Sequence, residues 1–174
     1  MGYGLILVKG TKMELIEMDV LKLGKLDGQP LKLKLIFETT LALIEKHKPD
    51  ELSIEAQFFG KNVQSMLKLG RAQGVAIAAA LYRDIPIFEY APKKIKQSIT
   101  GNGNASKEQV ADMLKALLNI SEMPKLLDAS DGLAAAVCHF FQKTARIPIV
   151  KTKSKKGNYS GWGAFLTDNP DRVL

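Results

Sequence analysis

A single cysteine, Cys138, leaves no partner for an intrachain disulfide, and its place in the apolar run Ala134-Ala135-Ala136-Val137-Cys138 marks it as a core residue suited to a reducing compartment. Histidine is scarce too: His47 and His139 do not stand at zinc-ligand spacing, so both read as structural. No apolar run approaches the ~18 residues of a membrane span, and the N-terminus lacks the basic-then-apolar order of a signal peptide. The expectation is a soluble, cytoplasmic protein with no membrane partner. Internal repeats are absent. Acid is in shorter supply than base, with 18 Asp and Glu against 25 Lys and Arg, a formal charge of +7. That balance favours a polyanionic partner such as nucleic acid without establishing one.

What is present describes an ordinary globular chain. Across 174 residues, 46% are hydrophobic and 25% charged, enough for one domain with a real core. Tyr3 to Lys9 and Lys12 to Leu23 read as strands turned at Gly10-Thr11. Leu33, Ile36, Phe37, Thr40, Leu41 and Ile44 recur at helical spacing up to Pro49, and Leu52-Ser53-Ile54-Glu55 follows as a short strand. Asn62 to Tyr82 is a long helix in which Gly70 and Gly74, one turn apart, hint at close packing against another helix or a second subunit. Ile85 to Tyr90 is a strand. Ser106 with Gln109 forms a capping box ahead of a buried stripe, Val110, Met113, Leu114, Leu117 and Leu118, and a last helix runs from about Leu127 to Gln142. This order predicts an α/β fold, a mixed sheet flanked by helices. Residues 1–150 are read as the domain. Residues 151–174, opening with four lysines in Lys151-Thr152-Lys153-Ser154-Lys155-Lys156-Gly157, are read as a basic, mobile tail that Trp162 and Phe165 dock onto the body or stack on a base.

Three carboxylates stand out. Glu55 ends a strand where an apolar or neutral residue is the usual choice, which places its carboxylate at the sheet's edge. Asp128 and Asp131, three apart at a helix start, project from nearly one face where the helix dipole favours negative charge. Read from these residues alone, N-capping by Asp128 with Asp131 as a first-turn acid is the simpler account. The functional account has all three converge on Mg²⁺, a hard ion satisfied by carboxylate and phosphate oxygens. Hydrolysis of a phosphodiester by metal-activated water then needs no nucleophilic side chain.

Longer segments point the same way. Ile54-Glu55-Ala56-Gln57-Phe58-Phe59-Gly60-Lys61-Asn62 followed by Leu67-Lys68-Leu69-Gly70-Arg71-Ala72-Gln73-Gly74-Val75 resembles the signature of the RuvC family of Holliday-junction resolvases. Phe88-Glu89-Tyr90-Ala91-Pro92-Lys93-Lys94-Ile95-Lys96-Gln97 resembles that family's basic strand-and-loop, Gly101 and Gly103 its glycine-containing loop, and Lys107-Glu108-Gln109-Val110 its next helix. Asp128-Ala129-Ser130-Asp131-Gly132-Leu133-Ala134 resembles its closing D-x-x-D-[AG]-L-A motif, and the likeness spans about Gly2 to Phe141.

The resemblance implies an RNase H-like fold and a homodimeric crossover junction endodeoxyribonuclease, a hydrolase of DNA recombination and the repair of DNA damage. It implies symmetric nicking of four-way junction DNA with Mg²⁺, or Mn²⁺ as a substitute, with two ions in the complete site. Partnership with a branch-migration helicase complex is a further implication. The resemblance makes Glu55, Asp128 and Asp131 the catalytic, metal-binding carboxylates. Lys61, Lys93, Lys94, Lys96 and Lys107 become DNA contacts, and Phe58 the probe of the unpaired junction centre. The family's opening strand, ending in G-[IL]-D-P-G with a further metal-binding aspartate, has no counterpart before Gly2-Tyr3-Gly4. That central strand is expected upstream of Met1, and the 174 residues alone are expected to cleave little or nothing, the alternative being an inactive junction-binding protein.

Overall fold

The computed structural model describes residues 1–24, 26–57, 62–120 and 128–146. The tail read at 151–174 lies outside them. β1 (Gly2–Lys9) and β2 (Lys12–Val20) form the expected antiparallel hairpin, turned at Gly10 with φ +62°, a left-handed value that glycine adopts without steric cost. α1 (Gln29–His47) buries Ile36, Thr40 and Ile44, spaced four apart on one face. β3 (Leu52–Glu55) and β4 (Ile87–Tyr90) pair in parallel, with Leu52 opposite Ile87 and Glu55 opposite Tyr90. α2 (Val63–Leu81) connects them, opened by the Asn62 side chain, which accepts from the Ser65 amide at 3.1 Å.

Three helices follow. α3 (Pro92–Thr100) occupies a stretch expected to be strand and loop. Pro92 suits a first helical turn, where its missing N–H goes unneeded, and Ile95 and Ile99, four apart, bury one side. Of the lysines that make the stretch read as a loop, Lys93 and Lys94 face solvent and Lys96 is half-buried. α4 (Lys107–Leu118) carries the predicted capping box, with both the Ser106 and Gln109 side-chain hydrogen bonds made. Its buried stripe differs in detail: Met113 is exposed, and Ala111 is buried in the stripe instead.

α5 (Asp128–Arg146) runs through the main core. Its Leu133, Val137 and Cys138 are fully buried against Ile95 and Ile99 of α3, Leu114 of α4, and Ile6, Met13 and Leu15 of the hairpin. Each such side chain contributes roughly 1.5–3 kcal/mol by leaving water. A smaller cluster of Ile44, Ala80 and Ile85 joins α1 to α2 and the approach to β4.

In place of the single mixed sheet expected, the described residues form two two-stranded sheets, β1 with β2 and β3 with β4. α5 packs on strands of both. Its approach to β1 is backbone to backbone. A Cβ added to Gly4 would fall 2.6 Å from Leu133 Cα, and one added to Gly132 would fall 2.6 Å from Tyr3 Cα. Only glycine tolerates such contacts, so Gly4 and Gly132 set the seat of α5.

Gly70 and Gly74 do not play that part within the chain. Among the described residues, nothing lies within 4 Å of a Cβ built on Gly74, and Gly70 meets only the Gln57 Oε1 at 4.0 Å.

Candidate metal and DNA site

Glu55 closes β3, where the next amide, Ala56 N–H, donates to the Tyr90 carbonyl at 2.8 Å and the Gln73 side chain donates to the Glu55 carbonyl at 3.3 Å. These contacts fix the strand end. Although Glu55 is exposed as a residue, its carboxyl is held above the usual carboxylate range, first by desolvation under surrounding protein and then by the negative charge of Asp131. Lys107 and Lys96 oppose that shift. The like-charge contribution puts Glu55 within electrostatic reach of Asp131 of α5.

Asp128 and Asp131 stand in the first turn of α5, as expected from the sequence. Between them lies the ammonium of Lys107, the first residue of α4, 2.8 Å from Asp131 Oδ2 and 3.9 Å from Asp128 Oδ1. The hydrogen bond to Asp131 is the main reason the Lys107 pKa is raised, with Asp128 and Glu55 adding to it. Side chains about half exposed make such an ion pair worth about 0–1 kcal/mol, so another cation or a phosphate displaces it readily.

Lys96 points its ammonium at the Ala105 carbonyl, 2.7 Å away, and so braces the loop that leads into α4. Lys93 and Lys94 are exposed on the first turn of α3. Phe58 and Lys61 lie outside the described residues.

The donor set suits a hard divalent ion: carboxylate oxygens and no thiolate or imidazole. A lysine ammonium already answers the negative charge there. Among the described residues, no three Asp, Glu, His or Cys side chains close around one point tightly enough to hold an ion. The structure thus gathers the three acids around Lys107 without drawing them into a finished cage.

Sequence reasoning missed a second set of groups beside this ledge. His139 of α5 shares hydrogen bonds with the Tyr90 hydroxyl, 2.6 Å from Nδ1, and with Glu51 Oε2, 2.7 Å from Nε2, and Lys143 also pairs with Glu51. The His139 ring packs on Phe88 with centroids 4.4 Å apart. No local motif announces this network, because its members lie as much as 92 residues apart.

The profile of the family described as Crossover junction endodeoxyribonuclease RuvC matches residues 1–139. A relative of that name from Christiangramia forsetii is 60% identical over 173 residues, covering 99% of this chain and 86% of its own length. Another from Bacteroides fragilis is 59% identical over 175 residues, with 99% and 89% covered. The chain belongs to the RuvC family. Among solved structures, Thermus thermophilus RuvC matches with a TM-score of 0.74 and 29% identity over 83% of this chain and 89% of that one. T. thermophilus RuvC in complex with Holliday junction substrate matches at 0.77 and 30%, over 83% and 88%. The RNase H-like α/β class expected for a RuvC chain is the class of these neighbours. No described helix is long and apolar enough to cross a membrane.

Proposed function

We propose that this RuvC-family chain is a structure-selective endonuclease that binds four-way junction DNA and hydrolyses phosphodiesters symmetrically across it. The observation that carries the reading is the Lys107 ammonium shared by Asp128 and Asp131 beside Glu55, an acidic ledge bordered by lysines. We assign Glu55, Asp128 and Asp131 as ligands of Mg²⁺, with Mn²⁺ as a substitute and two ions in the complete site. A bound ion of this kind lowers the pKa of a water and offsets charge on phosphate oxygens.

The rest falls to the chain itself. Lys107, released from the aspartates, meets the phosphate beside the cut. Lys96 holds the loop before α4, and so the start of that helix, in place. Lys93 and Lys94 attract the backbone without reading sequence, while Phe58 and Lys61 engage the junction centre and its flank. Replacing Lys93 and Lys94 together by alanine is expected to lower the slope of log affinity against log salt by about 0.9 for each duplex phosphate that the two lysines neutralise. A salt titration of junction binding measures it.

A homodimer suits two symmetric cuts. α2 offers a face for it: Val63 and Leu67 are 64% and 52% exposed, and Gly70 and Gly74 continue the same stripe, with no described atom within 4 Å of a Cβ on Gly74. We also assign docking of a branch-migration helicase complex to this protein, as the family resemblance implies.

The loose spacing of the three acids favours one competing reading, a junction-binding protein without catalysis. Mixing the protein with a synthetic junction and Mg²⁺ separates the two, since both retard the DNA on a gel and only the endonuclease yields paired, symmetric nicks. Paired, symmetric nicks support our reading; a shifted junction that stays uncut over the whole Mg²⁺ range is the low cleavage expected of these 174 residues alone and favours the competing one.

A further inference from the structure

α5 and β3 run in opposite directions. Glu51, just before β3, meets His139, well along α5, while Glu55 at the other end of the strand lies within the electrostatic reach of Asp131 in the first turn of the helix. Four residues of strand span about 13 Å. Eight residues of helix, from Asp131 to His139, span about 12 Å. The two intervals match, so fastening Glu51 to His139 brings Asp131 level with Glu55, and a slip of one helical turn, about 5.4 Å, would carry it past.

The fastening is well made. His139 is buried, packed at a tilt against Phe88 of β4 and hydrogen-bonded to Tyr90, which is the register partner of Glu55. A carboxylate only accepts hydrogen bonds, so Nε2 donates to Glu51, while Nδ1 shares the other hydrogen bond with the Tyr90 hydroxyl. Burial raises the Glu51 carboxyl, yet the hydrogen bonds from Lys143 and His139 outweigh it and the group ends below its ordinary range. Glu51 is therefore an ionised anchor. The acids at the other end, Glu55 and Asp131, repel one another, so nothing in their own charges holds that end of the pair together.

We propose that His139 is a positioning residue for the metal site, and that the Tyr90–His139–Glu51 relay sets the helix-to-strand register that aligns Asp131 with Glu55. This rests on the assignment of those two carboxylates as metal ligands. His139 touches neither the ion nor the DNA.

Calorimetric titration of the full chain with Mn²⁺, without DNA, tests it in the parent protein and in His139→Phe, His139→Gln and Tyr90→Phe. His139→Phe keeps a ring against Phe88 and removes both hydrogen bonds. It is expected to weaken Mn²⁺ binding by about tenfold to a hundredfold, the range typical of partners that orient metal ligands. Junction binding in metal-free buffer is expected to remain at the parent level. His139→Gln, whose amide still donates to Glu51, is expected to recover part of the affinity. Tyr90→Phe loses one hydroxyl and shows a smaller effect of the same sign, which keeps the test decisive if His139→Phe does not fold. Folded variants that bind Mn²⁺ as the parent does overturn the positioning role and leave the ligand assignment standing. A parent that shows no saturable Mn²⁺ binding overturns the ligand assignment, and the positioning role with it.

Discussion

Replacing Asp131 by asparagine is expected to lower junction nicking by more than about 100-fold, beyond the usual cost of losing a residue that only orients a metal ligand. The substitution keeps the shape of the side chain and removes the charge. An amide oxygen is a weaker ligand for a hard cation, and the Lys107 ammonium loses its nearest partner, now 2.8 Å away. Glu55→Gln is expected to act alike, since its carboxyl faces the same cations. Metal-free junction binding is expected to hold or tighten in both variants, because the lysines that attract phosphate remain and an opposing negative charge is gone. Stability is expected to change by no more than about 1 kcal/mol, the worth of an exposed ion pair. Single-turnover nicking beside a gel shift in EDTA measures both halves. Asp131→Asn protein that nicks as fast as its parent contradicts the assignment.

Gly132→Ala is expected to destabilise the fold and to remove nicking with it. Alanine favours a helix over glycine by about 1 kcal/mol, so propensity alone predicts a gain. Packing decides the sign. The new methyl would lie 2.6 Å from Tyr3 Cα and 2.8 Å from both the Tyr3 nitrogen and the Gly2 carbonyl oxygen, all backbone atoms of β1 that cannot rotate away. Overpacking of a well-filled interior costs about 1–3 kcal/mol or more, which exceeds the helical gain. Relief requires α5 to lift from β1, which displaces Asp131, its immediate neighbour. Urea unfolding is expected to give a lower midpoint at an unchanged slope. A midpoint at or above that of the parent would show that α5 does not press on β1 backbone to backbone.

The hairpin at Gly10, the strand Leu52–Glu55, helix α2 and the Ser106 capping box are all legible in the sequence because each rests on local chemistry: a left-handed turn, a short apolar run, a helical period, a reciprocal cap. α3 escapes such a reading for a physical reason. Its lysines hide the period, and only Ile95 and Ile99 reveal the buried side. The acids of the site stand out as residue types at strand and helix ends, but their closeness depends on α5 crossing from one sheet to the other, a long-range arrangement that no local pattern encodes. The same holds for His139. It reads correctly as structural, while its bonds to Tyr90 and Glu51 follow only from three elements meeting. Gly4 does carry a signal: glycine in a strand interior marks a place where another backbone comes near, and Gly132 of α5 is the backbone-side counterpart it meets.

Crystals of the protein grown with Mn²⁺ and measured at the manganese absorption edge test the metal assignment most directly. The expected result is an anomalous peak bonded to carboxylate oxygens of Asp131 and of Glu55 or Asp128, with the Lys107 ammonium moved off the aspartates. A saturating Mn²⁺ soak that leaves Lys107 seated between Asp128 and Asp131, with no peak beside any of the three acids, would contradict it.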